Sequence, residues 1–157
     1  ILIAASNGRM IRFSETELRV MGRSASGVKG IEIEQDDIVV GCEIAENNQK
    51  ILVATENGYG KQTDINQYRM THRGSKGVKA LNVTEKNGNL IAFKTIHGDE
   101  DLIIITDNGM IIRLSVNQIS ETGRMAQGVK LINLKDNQKV ATITTIKENI
   151  DEEKESE

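Results

Sequence analysis

Short apolar runs alternate with polar turns along the chain, and the same pattern recurs. Three runs end at an Asn-Gly pair, and they occupy residues 1–5, 51–55 and 102–106. Asn-Gly predicts a tight hairpin turn, because both central residues of a type I′ turn need positive φ. A second strand follows, most clearly at 10–13 and 110–114, and a β-branched strand comes later in the unit, as at 38–44. The pattern therefore predicts repeated hairpins.

The chain consists of three copies of one unit. Six positions are identical in all three copies at a spacing of 50 or 51 residues, and in the first copy they are Asn7, Gly8, Arg23, Gly27, Val28 and Lys29. The Gly-Val-Lys segment continues into alternating runs at 28–34 and 129–134, which predict a further strand. The pattern therefore predicts about four strands in each unit. The predicted units are blade repeats at 1–50, 51–101 and 102–147, followed by an acidic tail at 148–157.

The repeated unit predicts an all-β, propeller-like architecture with almost no helix. No window of a dozen residues has helical periodicity, and the apolar runs are rich in Ile, Val and Thr. Four-stranded units that repeat every 50 residues are typical of blades stacked face to face. Closed propellers usually need about four to eight blades. Three blades predict half of a six-bladed disc, and since Ile1 starts inside a strand, we expect a piece of a longer protein.

Composition indicates in which cellular environment this chain is expected to fold. No run approaches the roughly 18 apolar residues of a membrane span, so we expect no membrane partner. Cys42 is the only cysteine, which excludes an internal disulfide or a cysteine-based zinc site and favours a reducing cytoplasm. We expect Cys42 to be a small buried apolar residue. The tail at 148–157 holds six acidic residues and one lysine, and it is expected to be disordered.

Positive charge is concentrated in one arc of each repeat, from just after Asn-Gly to the end of Gly-Val-Lys. The three arcs carry +9 together, while the rest of the chain without the tail carries -7. The cations of the first arc are Arg9, Arg12, Arg19, Arg23 and Lys29, those of the second are Lys61, Arg69, Arg73, Lys76 and Lys79, and those of the third are Arg113, Arg124 and Lys130.

Repeat symmetry predicts that the three arcs form one curved basic stripe. Such a stripe is suited to a bent duplex, because phosphates are evenly spaced and their neutralisation releases counterions. Two Phe, two Tyr and no Trp disfavour base stacking of single strands as the main mode of binding. Two other interpretations stay open: solvated or ion-paired surface charge, and a protein-binding propeller module.

Catalytic chemistry is not indicated. Tyr59 and Tyr68 occupy repeat positions that hold other residue types in the sister repeats, so we interpret them as packing residues. His72 and His97 recur in no other repeat, which disfavours metal or general-base roles. The glycine-rich stretches lack the lysine spacing and following helix of a phosphate loop. We expect no catalytic residue, metal or cofactor in this chain.

Three runs resemble the later repeats of the C-terminal domain of the bacterial DNA gyrase A protein. They are Glu-Asn-Gly-Tyr-Gly-Lys-Gln-Thr at 56–63, Ile-Arg-Phe-Ser at 11–14 and Gly-Arg-Met-Ala-Gln-Gly-Val-Lys-Leu-Ile-Asn-Leu at 123–134. The resemblance covers about residues 1–147. In addition, 71–77 is similar to the family's glycine-rich basic box Q-R-R-G-G-K-G at Arg73, Gly74, Lys76 and Gly77, and departs from it at Thr71, His72 and Ser75.

The resemblance implies a β-pinwheel, in which blades exchange a strand with their neighbours, and double-stranded DNA wrapped on a basic rim. It implies a parent type II topoisomerase, a heterotetramer of two gyrase A and two gyrase B proteins in the bacterial cytoplasm. That enzyme uses ATP and Mg²⁺ elsewhere to introduce negative supercoils. The corresponding C-terminal domain of DNA topoisomerase IV is a close alternative.

Overall fold

The computed structural model describes residues 1–147, and within them the fold is all β. Eleven strands follow one another in the order β1 Leu2–Ala5, β2 Arg9–Arg12, β3 Val39–Glu43, β4 Lys50–Thr55, β5 Tyr59–Asp64, β6 Val78–Lys79, β7 Leu90–Ile96, β8 Asp101–Thr106, β9 Ile111–Ser115, β10 Val129–Lys130 and β11 Val140–Ile146. The helical segments of this part of the chain are single 3₁₀ turns at Glu15–Glu17, Ile65–Gln67 and Val116–Gln118. The predicted scarcity of helix is confirmed, and no helix among residues 1–147 is long and apolar enough to cross a membrane.

Each repeat opens with a hairpin at Asn-Gly, as predicted, but the predicted turn geometry is wrong. The hairpins are β1–β2, β4–β5 and β8–β9. In the first, the Gly8 amide donates to the Ala5 carbonyl at 3.0 Å, and Gly8 has a φ of 83°. Asn7 is not in the left-handed region, so only one residue of the turn needs positive φ. The glycine after a right-handed turn supplies the twist that the paired strands need.

The strands form three antiparallel sheets that exchange strands. The first sheet has the order β3-β1-β2-β6, the second β7-β4-β5-β10, and the third β11-β8-β9. Strand β6 belongs to the second repeat but pairs with β2 of the first, with Arg9 opposite Lys79. Likewise β10 of the third repeat pairs with β5 of the second, with Tyr59 opposite Lys130. Each of these Gly-Val-Lys segments is therefore donated to the sheet of the preceding repeat.

Strand exchange corrects two sequence expectations. The strand predicted at 28–34 does not form, and of 129–134 only Val129–Lys130 is a strand. Residues 28–34 have no acceptor sheet within residues 1–147, because the acceptor of such a segment lies in the preceding repeat. The third sheet has three strands rather than four, because no later repeat within the described range donates a strand to β9.

Neighbouring sheets pack face to face through apolar side chains that alternate along the strands. Leu2 and Met10 of the first sheet contact a cluster that includes Ile51 and Val53 of the second. The other face of the second sheet presents Leu52 and packs against Leu102 and Ile104 of the third in the same way. Since successive side chains of a strand point to opposite faces, the middle sheet is covered on both sides.

Cys42 is exposed, which corrects the expectation that it is buried. It pairs with Ile3 as Phe93 pairs with Val53 and as Ile143 pairs with Ile104. Phe93 and Ile143 are 3% exposed because each faces the preceding sheet. No sheet within residues 1–147 covers the equivalent face of the first blade, and Cys42 is open there for that reason.

The predicted unit boundaries at 50 and 101 stay a prediction, since each of the first two sheets joins strands from two units. The predicted disordered tail at 148–157 lies outside the described residues.

Candidate nucleic-acid interface

The basic loops of successive repeats lie against one another. The Arg73 guanidinium Nη1 donates to the Lys29 carbonyl at 3.1 Å. One repeat later the Arg124 Nη1 donates to the Lys79 carbonyl. The arginine and the lysine that recur at identical positions along the chain thus become neighbours across each blade junction. The basic loops of the three repeats form one continuous strip, which we call the cationic strip and define as residues 19–29, 69–79 and 121–130.

Main-chain contacts fix the loops in this arrangement. The Gly74 amide donates to the Gly30 carbonyl at 2.6 Å, and the Glu32 amide donates to the Ser75 carbonyl at 2.9 Å. Gly77 has a φ of 66°, and a Cβ there would collide with the Met10 main chain. Glycine is therefore needed at this position both for its backbone conformation and for close approach to the acceptor strand.

Eight of the thirteen predicted DNA-contact residues are exposed to solvent. They are Arg19, Arg23, Lys29, Arg69, Lys76, Lys79, Arg113 and Lys130. Two of them have acidic neighbours: Lys29 Nζ lies 3.5 Å from Glu32, and Arg113 Nε lies 2.6 Å from Asp101. The side chains of Arg69 and Lys76 form no hydrogen bond or ion pair within residues 1–147, which leaves both cations open to a ligand.

The other predicted arginines are less exposed and hold the blades together. Arg12 Nη1 donates to the carbonyls of Ile65 and Tyr68 at 3.1 Å each, at the two ends of the 3₁₀ turn of the next repeat. Gln62 occupies the equivalent place in the second repeat, and its Nε2 donates to the carbonyls of Val116 and Ile119. Arginine and glutamine thus perform one structural task in consecutive repeats.

Arg9 and Arg73 are likewise tied to the protein. The Arg9 Nη1 donates to the Gly77 carbonyl at 3.1 Å. The Arg73 main-chain amide donates to the Glu17 carboxylate at 3.0 Å, and its Nε lies 3.4 Å from the Glu17 carbonyl. Glu17 also lies 3.3 Å from the His72 ring, which therefore has an acidic neighbour. These arginines position the strip, with only part of each guanidinium facing solvent.

The sequence analysis predicts that Lys61 contacts DNA, and the buried position of its side chain shows that this prediction is wrong. Its side chain is 0% exposed, and Nζ donates to the carbonyls of Gly123 and Arg124 at 2.7 and 2.6 Å. Burial, and secondarily the Arg124 charge, lower the pKa of Lys61 from 10.5 to about 8. Ile11 and Ile112 stand at the equivalent positions. Lys61 is a buried support for the Arg124 loop and has no access to a phosphate.

Lys86 joins the interface although it lies outside the predicted arcs. Its Nζ is 5.7 Å from the centre of the Tyr59 ring, and that of Lys130 is 5.9 Å from it. Strand exchange brings Lys130 of the third repeat beside Tyr59 of the second. A count of charges along the sequence does not show this contact, because it depends on pairing between repeats. Tyr59, expected to be a packing residue, is a half-buried ring flanked by two cations.

Tyr68 is buried in the first junction core, and burial raises the pKa of its hydroxyl above the ordinary value, so that it stays protonated. Residues 1–147 contain no group of three or more His, Cys, Asp or Glu side chains placed to hold a metal ion. The arrangement can neutralise phosphates along a path that crosses both blade junctions.

Comparison with known proteins identifies the family. A family model described as the DNA gyrase C-terminal domain, beta-propeller, matches residues 1–46, 49–97 and 100–147. The DNA gyrase A protein of Staphylococcus aureus strain MRSA252 is 52% identical over 159 residues, covering 100% of this chain and 18% of that protein. The protein of strain NCTC 8325 is 50% identical over 155 residues and is matched over 18% of its length. The chain thus spans about a fifth of these relatives.

Two solved structures share the fold. A crystal structure of the C-terminal domain of DNA topoisomerase IV superposes with a TM-score of 0.86 at 24% identity, over 93% of this chain and 46% of that one. A structure of the DNA gyrase A C-terminal domain superposes with a TM-score of 0.80 at 21% identity, over 92% of this chain and 49% of that one. The predicted β-pinwheel class is confirmed, and this chain belongs to the family of DNA gyrase A C-terminal domains.

Proposed function

We propose that this chain binds and bends double-stranded DNA through the cationic strip. The observation that carries the proposal is the repeated contact between the arginine of one blade and the lysine of the preceding blade, Arg73 with Lys29 and Arg124 with Lys79. These contacts align the basic loops into a single path. Because the path curves from blade to blade, its cations can neutralise the phosphates of a duplex that is bent along the same curve.

The contacts are expected to read the phosphate backbone rather than the bases. The exposed members of the strip are arginines and lysines on glycine-rich loops, which allow a close approach to phosphate oxygens. Within the strip the regular elements are the two-residue strands β6 and β10, and it contains no helix or hairpin of its own that could enter a groove. Affinity should therefore fall steeply with salt and depend little on base sequence.

Within a longer protein, the bent duplex would serve strand passage. We propose that the chain is an accessory part of a DNA gyrase A protein, which assembles with the gyrase B protein as an A₂B₂ heterotetramer in the bacterial cytoplasm. The wrap would present a second DNA segment to the cleavage gate and so support ATP-dependent negative supercoiling. ATP and Mg²⁺ would act in other parts of the enzyme, and DNA binding by this chain needs neither.

DNA topoisomerase IV is the second candidate parent. It is favoured by the superposition on the topoisomerase IV domain at a TM-score of 0.86. The identities of 50–52% to gyrase A proteins over nearly the whole chain favour gyrase. Joined to its complete enzyme, the gyrase assignment predicts introduction of negative supercoils into relaxed plasmid. Relaxation and decatenation without supercoiling would support the topoisomerase IV assignment.

The test of DNA binding is a fluorescence anisotropy titration of a labelled duplex at several salt concentrations, without ATP or Mg²⁺. If about six strip cations contact phosphates, log affinity falls against log salt with a slope of about -5, at roughly 0.9 per contact. Two duplexes of unrelated sequence should give the same curve. No binding at low salt would overturn the proposal, and a protein ligand bound with flat salt dependence would favour the protein-binding module.

A further inference from the structure

Two lysines from different repeats converge on one aromatic ring near the β10 edge of the second sheet. Tyr59 is the first residue of β5, and the donated strand β10 places Lys130 opposite it. The Nζ atoms of Lys86 and Lys130 lie over the Tyr59 ring, 5.7 and 5.9 Å from its centre. The two positive charges repel each other, so this arrangement attracts an anion.

Backbone contacts hold both lysines in place. Asn87 is 1% exposed and closes the turn that carries Lys86, because its Oδ1 accepts from the Thr84 amide at 2.7 Å. The Asn57 Nδ2 donates to the Lys86 carbonyl at 3.2 Å. Lys130 is fixed by the pairing of β10 with β5. Both cations project from ordered backbone, so the binding of a ligand has to order only their side chains.

The protein does not neutralise these two ammonium groups. Lys86 and Lys130 are both exposed, and neither side chain forms a hydrogen bond or an ion pair within residues 1–147. Glu85 precedes Lys86 in the same turn, but no ion pair joins these two neighbours. Lys139 adds a third cation nearby, since its Nζ donates to the Asn57 Oδ1. The ring itself is uncharged, so the positive charge of both lysines stays available to a ligand.

The ligand that suits this arrangement is a phosphate group rather than a base. Both ammonium groups lie over the Tyr59 ring, which is otherwise half-buried, so they occupy the surface on which a base would stack. Ammonium groups bind phosphates as point charges. Lys130 also belongs to the cationic strip, and a phosphate held here would therefore lie beside the path of the duplex.

The adjoining basic loop lacks charge at this sheet. At the first sheet, the donated loop carries the exposed cation Lys76, and the turn beside the hairpin carries Asp36. At the second sheet, Gln127 occupies the place of Lys76 in the loop, and Lys86 occupies the place of Asp36 in the turn. Each turn is closed by a side chain that accepts from an amide three residues earlier, which identifies the two turns as equivalent. Positive charge thus moves from the loop at the first sheet to the turn at the second.

We propose that Tyr59, Lys86 and Lys130 form a phosphate-binding site, the Tyr59 site, which holds the backbone of the bent duplex at the second sheet. This inference rests on the proposed DNA binding, and it adds a contact residue, Lys86, that the basic arcs do not contain. The loop cation Lys76 holds the duplex at the first sheet, and the Tyr59 site does so at the second. The duplex therefore crosses the strip obliquely and lies closer to the hairpin turn at the second sheet than at the first.

The first test is an anisotropy titration of a labelled duplex with the 157-residue chain at several salt concentrations. Lys86→Gln should flatten the slope of log affinity against log salt by about 0.9, which changes the affinity ratio to the parent chain by about threefold over a fourfold range of salt. The matched control is Lys135→Gln, on the equivalent turn of the third repeat, where the lysine is exposed and its side chain forms no hydrogen bond or ion pair within residues 1–147. This control should keep the parent slope.

Replacement of the ring separates its role from that of the charges. Tyr59→Met introduces the residue type that the third repeat has at this place, Met110, so the fold should tolerate it. The two lysines keep their charge but lose the ring that holds them together. Affinity should fall by about two- to fivefold, the range expected for a surface cation–π contact, while the salt slope stays that of the parent chain.

Fluorine NMR supplies a readout at the ring itself. Tyr59 and Tyr68 are the only tyrosines, so a chain labelled with fluorotyrosine gives two resonances, and Tyr59→Met identifies that of Tyr59. Added duplex should shift the Tyr59 resonance and leave that of Tyr68, which is 1% exposed, in place. A duplex with an uncharged methylphosphonate backbone should shift neither resonance.

Failure of the Tyr59 site is distinguishable from failure of the proposed DNA binding. A duplex that binds by anisotropy without shifting the Tyr59 resonance would overturn the site alone, as would equal slopes for Lys86→Gln and Lys135→Gln. A Tyr59 shift that is larger with single strands than with duplex would assign the ring to base stacking and overturn the phosphate site. If the parent chain binds no duplex at low salt, both proposals are overturned.

Discussion

Lys76→Gln removes one cation from the strip at a place where nothing in the protein depends on it. Lys76 is exposed on the loop between Gly74 and Gly77, and its ammonium forms no hydrogen bond or ion pair within residues 1–147. The unfolding temperature should therefore stay unchanged. Arg73 would be a poor choice, because its replacement also breaks contacts to Lys29 and Glu17.

The expected magnitude follows from counterion release. Loss of one phosphate contact flattens the slope of log affinity against log salt by about 0.9. Over a fourfold change in salt, the affinity ratio between parent and variant should then change by about threefold, with the larger difference at low salt. The measurement is the anisotropy titration at four or more salt concentrations with two unrelated duplexes.

The matched control is Lys135→Gln. Lys135 is an exposed lysine outside the arcs, and its side chain also forms no hydrogen bond or ion pair within the described residues. The two variants make the same change in net charge, so only position differs. Equal slopes for Lys76→Gln and Lys135→Gln would show that binding follows total charge, and the assignment of the strip would be refuted.

Substitutions at four other positions test the structural roles. Arg12→Met should lower the free energy of unfolding by about 2–3 kcal/mol, because two carbonyls lose their donors, and Arg12→Gln should restore part of it since Gln62 performs this task in the next repeat. Lys61 has a pKa of about 8 in the folded chain, below its value of 10.5 in the unfolded chain, so the unfolded chain binds more protons between these two pH values. The free energy of unfolding should therefore rise with pH in this range, by at most about 3 kcal/mol. Urea unfolding at about pH 7 and pH 10 should show this rise in the parent chain and not in Lys61→Ile. Gly77→Ala should lower the free energy of unfolding far more than Gly27→Ala, because both have positive φ but only Gly77 lies against a neighbouring strand.

Internal repetition made much of the fold predictable. Identical residues spaced by 50 or 51 positions identify equivalent places, and the Asn-Gly pairs locate the hairpins. Which repeat a strand pairs with is not readable from those residues. Val78–Lys79 pairs with residues 9 and 10, and nothing local in either segment distinguishes this from pairing within one repeat. Only the family resemblance predicts the strand exchange.

The errors at single residues have the same origin. Lys61 has the charge of a DNA contact, but the Gly123 and Arg124 carbonyls of the next repeat meet its ammonium in a buried site. Cys42 has the small apolar character of a core residue, but the sheet that would cover it is absent from residues 1–147. Residue type alone misplaces both side chains, because contacts between repeats decide burial.

DNA bending by this chain is the central claim, and energy transfer between the ends of a short duplex measures it directly. A duplex of about 40 base pairs is far shorter than the persistence length of about 150 base pairs, so it stays nearly straight when free. With donor and acceptor dyes at its ends, addition of the chain at low salt should raise the transfer efficiency, and added salt should reverse the rise as the strip releases its phosphates. Binding that saturates by anisotropy while transfer efficiency stays at the value of the free duplex would contradict the account.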